Sequence, residues 1–282
     1  MLLRRRAWAL LPGALGLLAG LGACGALPAG LPDADALRNA RFILLGEVHD
    51  NPEHHRQRAE LLSRVLADGR ATRVVFEQMD RASDAALAAA PRDPEAVADA
   101  GGLDRAGWRW PLHRALVEAA LAGGATIAGG NFDRDLARRL VREGAAAAPA
   151  DLRIALETVP WSAAQDAIVR GAIEQGHCGA LPPDRVAPMA LVQRLRDASL
   201  AQAMLRAPEP RVVLIAGNGH VRKDLGVPHY LRAAGVAPSQ IVALGFVEDG
   251  DASMPFDLRQ VTPGVERPDP CEGFRKARAA AG

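Results

Sequence analysis

Five short apolar runs, rich in Val, Ile and Leu, constrain the fold of this 282-residue chain more than any other feature. They are RFILLGE, TRVVFEQ, ATIAGGN, RVVLIAGNGH and QIVALGFVE, and each is bounded by Gly or polar residues. Unbroken runs of this kind are typical of strands buried on both faces, as in a parallel sheet. Helical patterns lie between them, at residues 53–68, 112–122 and 133–143. This order predicts an α/β fold with a mostly parallel central sheet flanked by helices.

The segment from residue 151 to residue 210 breaks the alternation of strands and helices. It contains two long helical patterns, TVPWSAAQDAIVRGAI and PDRVAPMALVQRLRDASLAQAMLRA, with no strand between them. We therefore predict an inserted helical cap before the fourth strand. The other expected parts are a Gly/Pro/Ala-rich tether at 24–40, one α/β domain at 41–262 and a C-terminal tail at 263–282.

The N-terminus has the features of an export signal. Three arginines precede an apolar stretch at residues 7–22, which is short for a membrane-spanning helix and ends in LGAC. This ending resembles the lipobox of bacterial lipoproteins, which predicts a signal peptide at 1–23 and a lipid on Cys24. The alternatives are a chance cysteine after an ordinary signal peptide and an uncleaved helical anchor. Gly25, in place of an aspartate, favours the outer membrane, with the domain facing the periplasm.

Two cysteines remain once Cys24 carries a lipid. An even pair in an oxidising compartment predicts a disulfide between Cys178 and Cys271, with two free thiols as the alternative. A disulfide there excludes Cys178 as a nucleophile activated by the adjacent His177. The net charge of +1 gives no electrostatic reason to expect nucleic acid as a partner.

Polar side chains follow four of the five predicted strands. In an open parallel sheet, ligands bind at the carboxyl ends of the strands, so residues that follow different strands meet in one crevice. The residues concerned are Glu47 and His49 after the first strand, Glu77 and Gln78 after the second, Asn131 and Asp133 after the third, and Asn218 and His220 after the fourth. Because polar residues follow four strands at the same end, the sequence predicts one site at this edge of the sheet.

The helix after the first strand adds His54 and His55 in its first turn and Arg58 one turn later. The positive end of the helix dipole disfavours a charged imidazolium there, and neutral imidazole is the form that binds metal ions or haem iron. The alternative is that these histidines cap or pack the helix end. The motifs GxSxG and HExxH and the Walker loop do not occur in the sequence.

Several segments together resemble the ChaN-type haem-binding lipoproteins. They are LGEVHDNPEHH, FEQMDR, GNFDR, HCGALP, QRLRD and AGNGHVRKDLGVP, and the resemblance covers about residues 40–248. This family is part of a wider superfamily with the Tiki proteases, TraB and the erythromycin esterases. The resemblance implies haem binding, a role in haem and iron acquisition at the cell envelope, and a homodimer bridged by haem.

The resemblance also implies haem ligation by a tyrosine, and Tyr230 is the only tyrosine in the chain. A tyrosinate ligand needs a nearby cation, for which Arg222 and Arg232 are candidates. The other candidate haem-binding residues are His229, His177, Met189, His54, His55 and Arg58.

The hydrolases of the superfamily imply a second function. By their motifs, Glu47, His49, Glu77 and His220 would bind a divalent metal such as Mn²⁺, Co²⁺ or Zn²⁺, with Glu47, His49 and His220 as catalytic residues. Water bound to the metal would then attack an ester or an amide. A third possibility is an envelope scaffold without catalysis or haem.

Overall fold

The structure is a computed structural model that describes residues 31–251, 253–269 and 271–273. The predicted signal peptide, the lipidation site at Cys24 and the first part of the predicted tether lie outside the described residues. Within the described part of the chain, no helix combines the length and the apolar character needed to cross a membrane.

Six strands of the described chain form one sheet in which every neighbouring pair is parallel. The strands are β1 (Phe42–Leu45), β2 (Thr72–Asp80), β3 (Thr126–Asn131), β4 (Arg211–Ile215), β5 (Ile241–Glu248) and β6 (Leu258–Thr262). The five predicted strands are confirmed. Strand β6 was not predicted, because LRQVT is short and mixes polar with apolar residues.

Eleven α-helices are described, and three of them match the predicted helical patterns between strands. They are α1 (Ala34–Arg38), α2 (Pro52–Leu66), α3 (Asp84–Ala89), α4 (Pro94–Ala100), α5 (Trp110–Ala122), α6 (Arg134–Glu143), α7 (Ala150–Thr158), α8 (Ala163–Gly176), α9 (Pro183–Leu205), α10 (Asn218–Val221) and α11 (Val227–Ala233). The matching helices are α2, α5 and α6. Asn51 caps α2 by accepting hydrogen bonds from the backbone N–H groups of Glu53 and His54.

The strand order is β3-β2-β4-β1-β5-β6, so the chain reverses its direction of travel across the sheet at its centre. From β1 the chain crosses the position of β4 to reach β2, and from β4 it crosses β1 to reach β5. The connection after β1 therefore leads toward the β3 edge of the sheet, and the connection after β4 leads toward the β6 edge. The crevice between such loops is the usual ligand site of an open parallel sheet.

Successive side chains of β1 enter two different hydrophobic cores. Ile43 and Leu45 pack with residues of α2 and α5 on one face of the sheet, and Phe42 and Leu44 pack with residues of α6, α9 and α11 on the other. Burial on both faces explains why the strand sequences are continuously apolar rather than alternating. The sheet is thus the middle of three layers, and its carboxyl edge is left for the polar residues.

The predicted cap region consists of α7, α8 and α9, but its parts pack differently. Ile173 of α8 and the residues Val186 and Ala190 of α9 form a small separate cluster away from the sheet. From Leu195 onward, α9 belongs to the core that covers the sheet. The second half of α9 is therefore one of the flanking helices.

The end of the predicted tether is part of the folded domain. Residues 34–38 form α1, and Leu37 is fully buried in the core beside α2. The Gly/Pro/Ala-rich composition concealed this element, because a five-residue helix gives too little periodicity to recognise.

The tail after β6 is fastened to the domain at two points. Cys178 and Cys271 form the predicted disulfide, with their Cα atoms 5.6 Å apart. Arg267 pairs with Asp50 and Glu248, each at 2.6 Å from Nη2. The tail therefore returns from the edge strand β6 to the loop between α8 and α9.

Candidate functional site

The site begins where β1 passes close to the loop after β4. A Cβ atom at Gly46 would lie 2.3 Å from Oδ1 of Asn218, so this position requires glycine. Asn218 also donates from Nδ2 to the carbonyl oxygen of Phe246 at 2.7 Å. These contacts hold the ends of β1, β4 and β5 together and fix the direction of the residues that follow.

Glu47 is a buried carboxylate that forms an ion pair with the fully buried Arg58. Arg58 also donates from Nη1 to the carbonyl oxygens of Leu45 and Ala216, at 3.2 and 3.4 Å. Burial alone would raise the pKa of Glu47, but Arg58 and the neighbouring histidines hold it well below its usual range. Loss of one partner from such a buried pair costs about 3–5 kcal/mol. Arg58 therefore positions the ends of β1 and β4 together with the carboxylate.

His55 and His113 pack beside this ion pair. Nδ1 of His55 lies 3.2 Å from Nη2 of Arg58, and because a guanidinium only donates, Nδ1 accepts. The ring hydrogen is then on Nε2, which donates to the carbonyl oxygen of His49 at 3.0 Å and also lies 3.0 Å from the carboxylate of Glu47. Burial lowers the pKa of His55 to about 3, so the ring is neutral. His113 is fully buried 4.4 Å from the His55 ring, and neither of its nitrogens has a hydrogen-bond partner among the described residues.

The donor atoms of Glu47, His55 and His113 lie within 4.8 Å of one another, and no other such group occurs among the described residues. The hydrogen bond from Arg58 nevertheless places a hydrogen, and not a lone pair, on the His55 nitrogen that faces Glu47. This donor set fits a hydrogen-bond network better than a cation. The predicted metal ligands Glu47, His49, Glu77 and His220 do not form a group of this kind.

His49 is the half-exposed member of the site. Its Nδ1 lies 2.8 Å from Oε1 of Glu47, and half of the side chain is exposed. A Cβ atom on Gly217 would lie 2.7 Å from the His49 ring, so this glycine lets the ring lie against the loop after β4. Burial opposes protonation, but the hydrogen bond with Glu47 and the charge of Glu77 raise the pKa of His49. Nε2 is the ring nitrogen that Glu47 does not hold.

His220 lies between two buried carboxylates. Its Nδ1 is 2.7 Å from Oδ1 of Asp197, and its Nε2 is 3.3 Å from Oε1 of Glu77. The other oxygen of Glu77 accepts a hydrogen bond from the backbone N–H of Gly217 at 2.8 Å. Burial alone would lower the pKa of His220, but the two carboxylates raise it to about 10. In the same cluster burial would raise the pKa of Glu77, but His220 lowers it to about 2.

Two imidazoles, each held at Nδ1 by a carboxylate, thus meet at the carboxyl edge of the sheet. The pairs are Glu47–His49 and Asp197–His220, and Glu77 interacts with both histidines. Such pairs are suited to general acid–base chemistry, because the carboxylate sets the tautomer and orientation of the ring. This is the crevice that the sequence predicted from Glu47, His49, Glu77 and His220.

The polar residues after β3 have local structural roles. Asn131 accepts a hydrogen bond from the backbone N–H of Phe132, and Asp133 caps α6 through the N–H of Leu136 at 2.7 Å. They line the same cavity as Glu77 without joining its hydrogen bonds.

His54 lies on the far side of the first turn of α2 and stabilises the fold. Its Nδ1 accepts from the N–H of Val48 at 3.0 Å, and its Nε2 is 2.7 Å from the hydroxyl of Thr262. Burial lowers its pKa to about 4. His54 therefore packs the helix end, as in the alternative interpretation of the sequence, and joins α2 to β6.

Tyr230 and His229 lie on α11, away from these pairs. The hydroxyl of Tyr230 is buried without a hydrogen-bond partner among the described residues, and burial raises the pKa of the phenol. Arg194 of α9 is the cation that acts on Tyr230, and its guanidinium also lies over the Trp161 ring at 4.4 Å. His229 has its Nε2 2.8 Å from the carbonyl oxygen of Pro160.

The two arginines predicted to assist Tyr230 are engaged elsewhere. Arg222 pairs with Asp224 at 2.6 Å, and Arg232 donates to the carbonyl oxygen of Lys223 at 2.5 Å. Arg194, and not Arg222 or Arg232, is thus the cation beside Tyr230. The sequence could not predict this, because Arg194 is 36 positions from Tyr230 in the chain and reaches α11 only through tertiary packing.

Two openings on the helical face are large enough to admit a ligand. A cleft of about 300 Å³ between α8, α9 and α10 has His220 and Asp197 at its base and His177 and Ile173 on its wall. A larger groove of about 480 Å³ lies between α6 and α9, and we call it the α6–α9 groove. It is lined by Ala137, Arg138, Val141, Arg142, Arg185, Met189, Val192, Gln193 and Arg196.

Three residues were not predicted from the sequence: His113 and Asp197 in the site, and Arg194 beside Tyr230. His113 and Asp197 lie within helices whose apolar faces drew attention to packing, and neither follows a strand. The available sequence signal for these two residues was a polar side chain on the apolar face of a helix, where it is buried. Asp197 is the last residue of QRLRD, one of the segments that resemble the family.

One solved structure agrees with this architecture. The ChaN protein of Campylobacter jejuni, whose structure is described as showing cofacial haem binding, superposes with a TM-score of 0.68 at 18% identity, over 80% of this chain and 89% of that one. An erythromycin esterase EreC variant in its open conformation gives a TM-score of 0.42 at 14% identity, over 88% of this chain and 82% of that one. No curated protein matches the sequence.

A family model settles the relationship at the level of sequence. The model for haem-binding uptake proteins of the Tiki superfamily, ChaN, matches residues 34–231, which is more than half of the chain. The matched region contains α1, both imidazole–carboxylate pairs and residues 227–231 of α11. The chain therefore belongs to the ChaN family of haem-binding uptake proteins within the Tiki superfamily.

Proposed function

We propose that this protein binds haem and takes part in haem or iron acquisition at the bacterial envelope. The observation that carries the proposal is the match of residues 34–231 to the haem-binding family. Haem needs an apolar surface for its ring, cations for its two carboxylates and a ligand for its iron.

Some of the predicted haem-binding residues do not fit the cofactor. His54, His55 and Arg58 are all buried and take part in hydrogen bonds that hold the sheet edge. Tyr230 has a buried hydroxyl with Arg194 nearby, but burial and the charge of Asp197 raise the pKa of the phenol and so disfavour the tyrosinate that binds iron, and the residue is only 3% exposed. Ligation by Tyr230 therefore requires α11 or α9 to open. The α6–α9 groove meets the first two needs without any movement, since it has apolar walls and four arginines.

The envelope location is the second part of the proposal. Its support is the sequence LGAC after a basic and apolar N-terminus, together with the Cys178–Cys271 disulfide, which suits an oxidising compartment. A lipid on Cys24 would place the haem-binding domain beside the outer membrane. A homodimer bridged by haem is part of the same proposal.

Titration of the purified mature domain with haemin tests haem binding. We expect a saturable shift of the Soret band with a defined stoichiometry, and sedimentation at saturating haemin should show a dimer if the ligand bridges two chains. A linear, non-saturating absorbance change would reject haem binding. Tyr230→Phe and His229→Ala, measured in parallel, identify whether either residue holds the iron.

A second function, acid–base hydrolysis, is favoured by the two imidazole–carboxylate pairs. Nε2 of the half-exposed His49 is not held by Glu47 and can transfer a proton to or from a substrate, while the imidazolium of His220, bound by Asp197 and Glu77, places a positive charge at the same edge of the sheet. No metal is needed for this chemistry. We expect slow hydrolysis of p-nitrophenyl esters that survives chelation by EDTA and falls at least roughly 100-fold in His49→Asn. Equal rates for the variant and the wild type would reject a catalytic crevice.

A further inference from the structure

A cavity of about 590 Å³ opens at the ends of β2 and β3, and we call it the β2–β3 cavity. Its wall combines the last residues of these two strands, the loop before α5 and Arg196 of α9. Glu77 lines the cavity, which therefore adjoins the two imidazole–carboxylate pairs. A volume of this size is within the range of small-molecule sites. What the cavity can hold follows from its polar groups, and it is independent of haem binding.

Gln78 is the strongest sign that the β2–β3 cavity receives a ligand. It lines the cavity and is only 3% exposed, and neither the oxygen nor the nitrogen of its side-chain amide has a hydrogen-bond partner among the described residues. A buried polar group without a partner destabilises the fold. The terminal torsion of a glutamine side chain is soft, so the amide can turn toward a ligand at little cost. Gln78 thus offers one donor and one acceptor that the fold itself does not use.

Arg196 supplies a further unused donor at the base of the cavity. Its Nε is buried and has no hydrogen-bond partner among the described residues. The negative charges that act on Arg196 are those of Glu77 and Asp197, and the same two carboxylates hold the imidazolium of His220. Two positive and two negative charges therefore balance at this point. An ion of either sign gains little there, which favours an uncharged ligand.

The carboxylates at the rim of the cavity are also compensated. Asp104 pairs with Arg134 at 2.6 Å, and Asp80 accepts a hydrogen bond from the backbone N–H of Ala82 at 2.8 Å. Each oxygen of a carboxylate has two lone pairs, so these acids can still accept hydrogen bonds from a ligand. Their remaining acceptors suit hydroxyl groups, which bring a donor without a charge.

We propose that the β2–β3 cavity binds an uncharged saccharide. Neighbouring hydroxyls of a sugar ring each donate and accept hydrogen bonds, which matches the adjacent donor and acceptor of the Gln78 amide. The half-buried Trp108 lines the cavity and packs edge-on against the His49 ring, with the ring centroids 5.1 Å apart. An indole is a suitable surface for the C–H face of a sugar ring, because the face of an aromatic ring is negative and the C–H groups are weakly positive. A fully apolar ligand would leave Gln78 unsatisfied.

The test removes the amide of Gln78 and measures sugar binding. The probes are cellobiose, maltose and N,N′-diacetylchitobiose, followed by isothermal titration and saturation-transfer NMR. Thermal shifts are unsuitable, because dissolved sugars stabilise proteins generally through exclusion from the surface. We expect saturable binding of at least one sugar by the wild type, and binding at least roughly tenfold weaker by Gln78→Leu. Gln57→Leu is the matched control, since Gln57 is also buried with an unpartnered side-chain oxygen but lies on α2, outside the cavity, and it should bind like the wild type.

Stability distinguishes a ligand-binding amide from a structural one. Gln78→Leu removes two unsatisfied buried groups, so it should be at least as stable as the wild type in urea unfolding while it binds the sugar more weakly. Trp108→Leu, which removes the aromatic wall, should also bind at least roughly tenfold more weakly, and it serves as the test variant if Gln78→Leu does not fold.

Three results would overturn the proposal. The first is the absence of saturable binding by the wild type for all three sugars. The second is wild-type affinity in both Gln78→Leu and Trp108→Leu. The third is binding of N-acetylalanine methylamide, lost in Gln78→Leu, in a protein that binds none of the sugars, which would assign the cavity to peptide-like amides.

Discussion

His220 shows how strongly a single side chain depends on its neighbours at this sheet edge. Burial opposes its charge, yet Glu77 and Asp197 overcome that cost, and the ring is held by hydrogen bonds at both nitrogens. His55, nearby, is neutral because Arg58 and burial act in the same direction. The two histidines have the same intrinsic chemistry, so their difference comes entirely from the charges placed around them.

The raised pKa of His220 predicts how stability depends on pH. A group whose pKa is higher in the folded state stabilises it fully below the ordinary value near 6.5, and the contribution is lost as the pH rises toward about 10. Glu77, with its pKa lowered to about 2, titrates well below this range, and the raised pKa of Asp197, about 6, lies at its lower end. We expect the wild type to lose more stability than His220→Gln between pH 7 and pH 10, measured by urea unfolding. Parallel curves for the two proteins would show that His220 is neutral in the folded state.

At the scale of elements, the close approach of β2 and β3 depends on a glycine. A Cβ atom at Gly129 would lie 1.9 Å from the carbonyl oxygen of Asp80, and backbone atoms cannot move aside as a flexible side chain can. The register between these strands shifts between Phe76 and Asp80, so β3 follows an irregular neighbour. The sequence ATIAGGN predicted a strand, but it gave no reason for the glycines.

Gly129→Ala should therefore destabilise the protein by several kcal/mol, of the order of 2–4 by analogy with overpacked cores. Gly171→Ala is the matched control, because Gly171 lies within α8 and a Cβ atom there meets nothing within 4 Å. We expect the control to be neutral or to stabilise by up to about 1 kcal/mol, since alanine is the better helix former. Chemical denaturation of both variants measures the difference. Similar stabilities would mean that β2 and β3 can separate at no cost.

The elements that the sequence predicted well are those with a strong local pattern. The continuous apolar runs identify β1 to β5, and the residues Asn51 and Pro52 mark the start of α2. The crevice follows from the rule that parallel strands present their carboxyl ends at one edge. The contributions of His113, Asp197 and Arg194 could not be predicted, because each reaches its partner across helices that no local pattern brings together. The metal hypothesis named Glu47, His49, Glu77 and His220, whereas the ligand group found among the described residues is Glu47, His55 and His113, which depends on tertiary packing of α5 against α2.

At the scale of the whole molecule, the C-terminal tail links regions that the sheet leaves apart. Arg267 pairs with Asp50, which follows β1, and with Glu248 at the end of β5. The disulfide joins residues 93 positions apart, and a loop of that length corresponds to roughly 4–5 kcal/mol in the chain-entropy description. The tail thus adds stability to α8 and the first half of α9, which share only a small cluster away from the sheet.

The position of β1 at the centre of the sheet also sets the order in which the protein can fold. Its two neighbours are β4 and β5, which begin at residues 211 and 241, so the first strand to be synthesised finds no partner until most of the chain exists. Pairing across such long separations is slow, and an unpaired apolar strand is prone to aggregation while it waits. A nascent chain of this protein must therefore keep β1 soluble through about 170 residues of further synthesis, and a fragment that stops before β4 cannot form the central pair of its sheet.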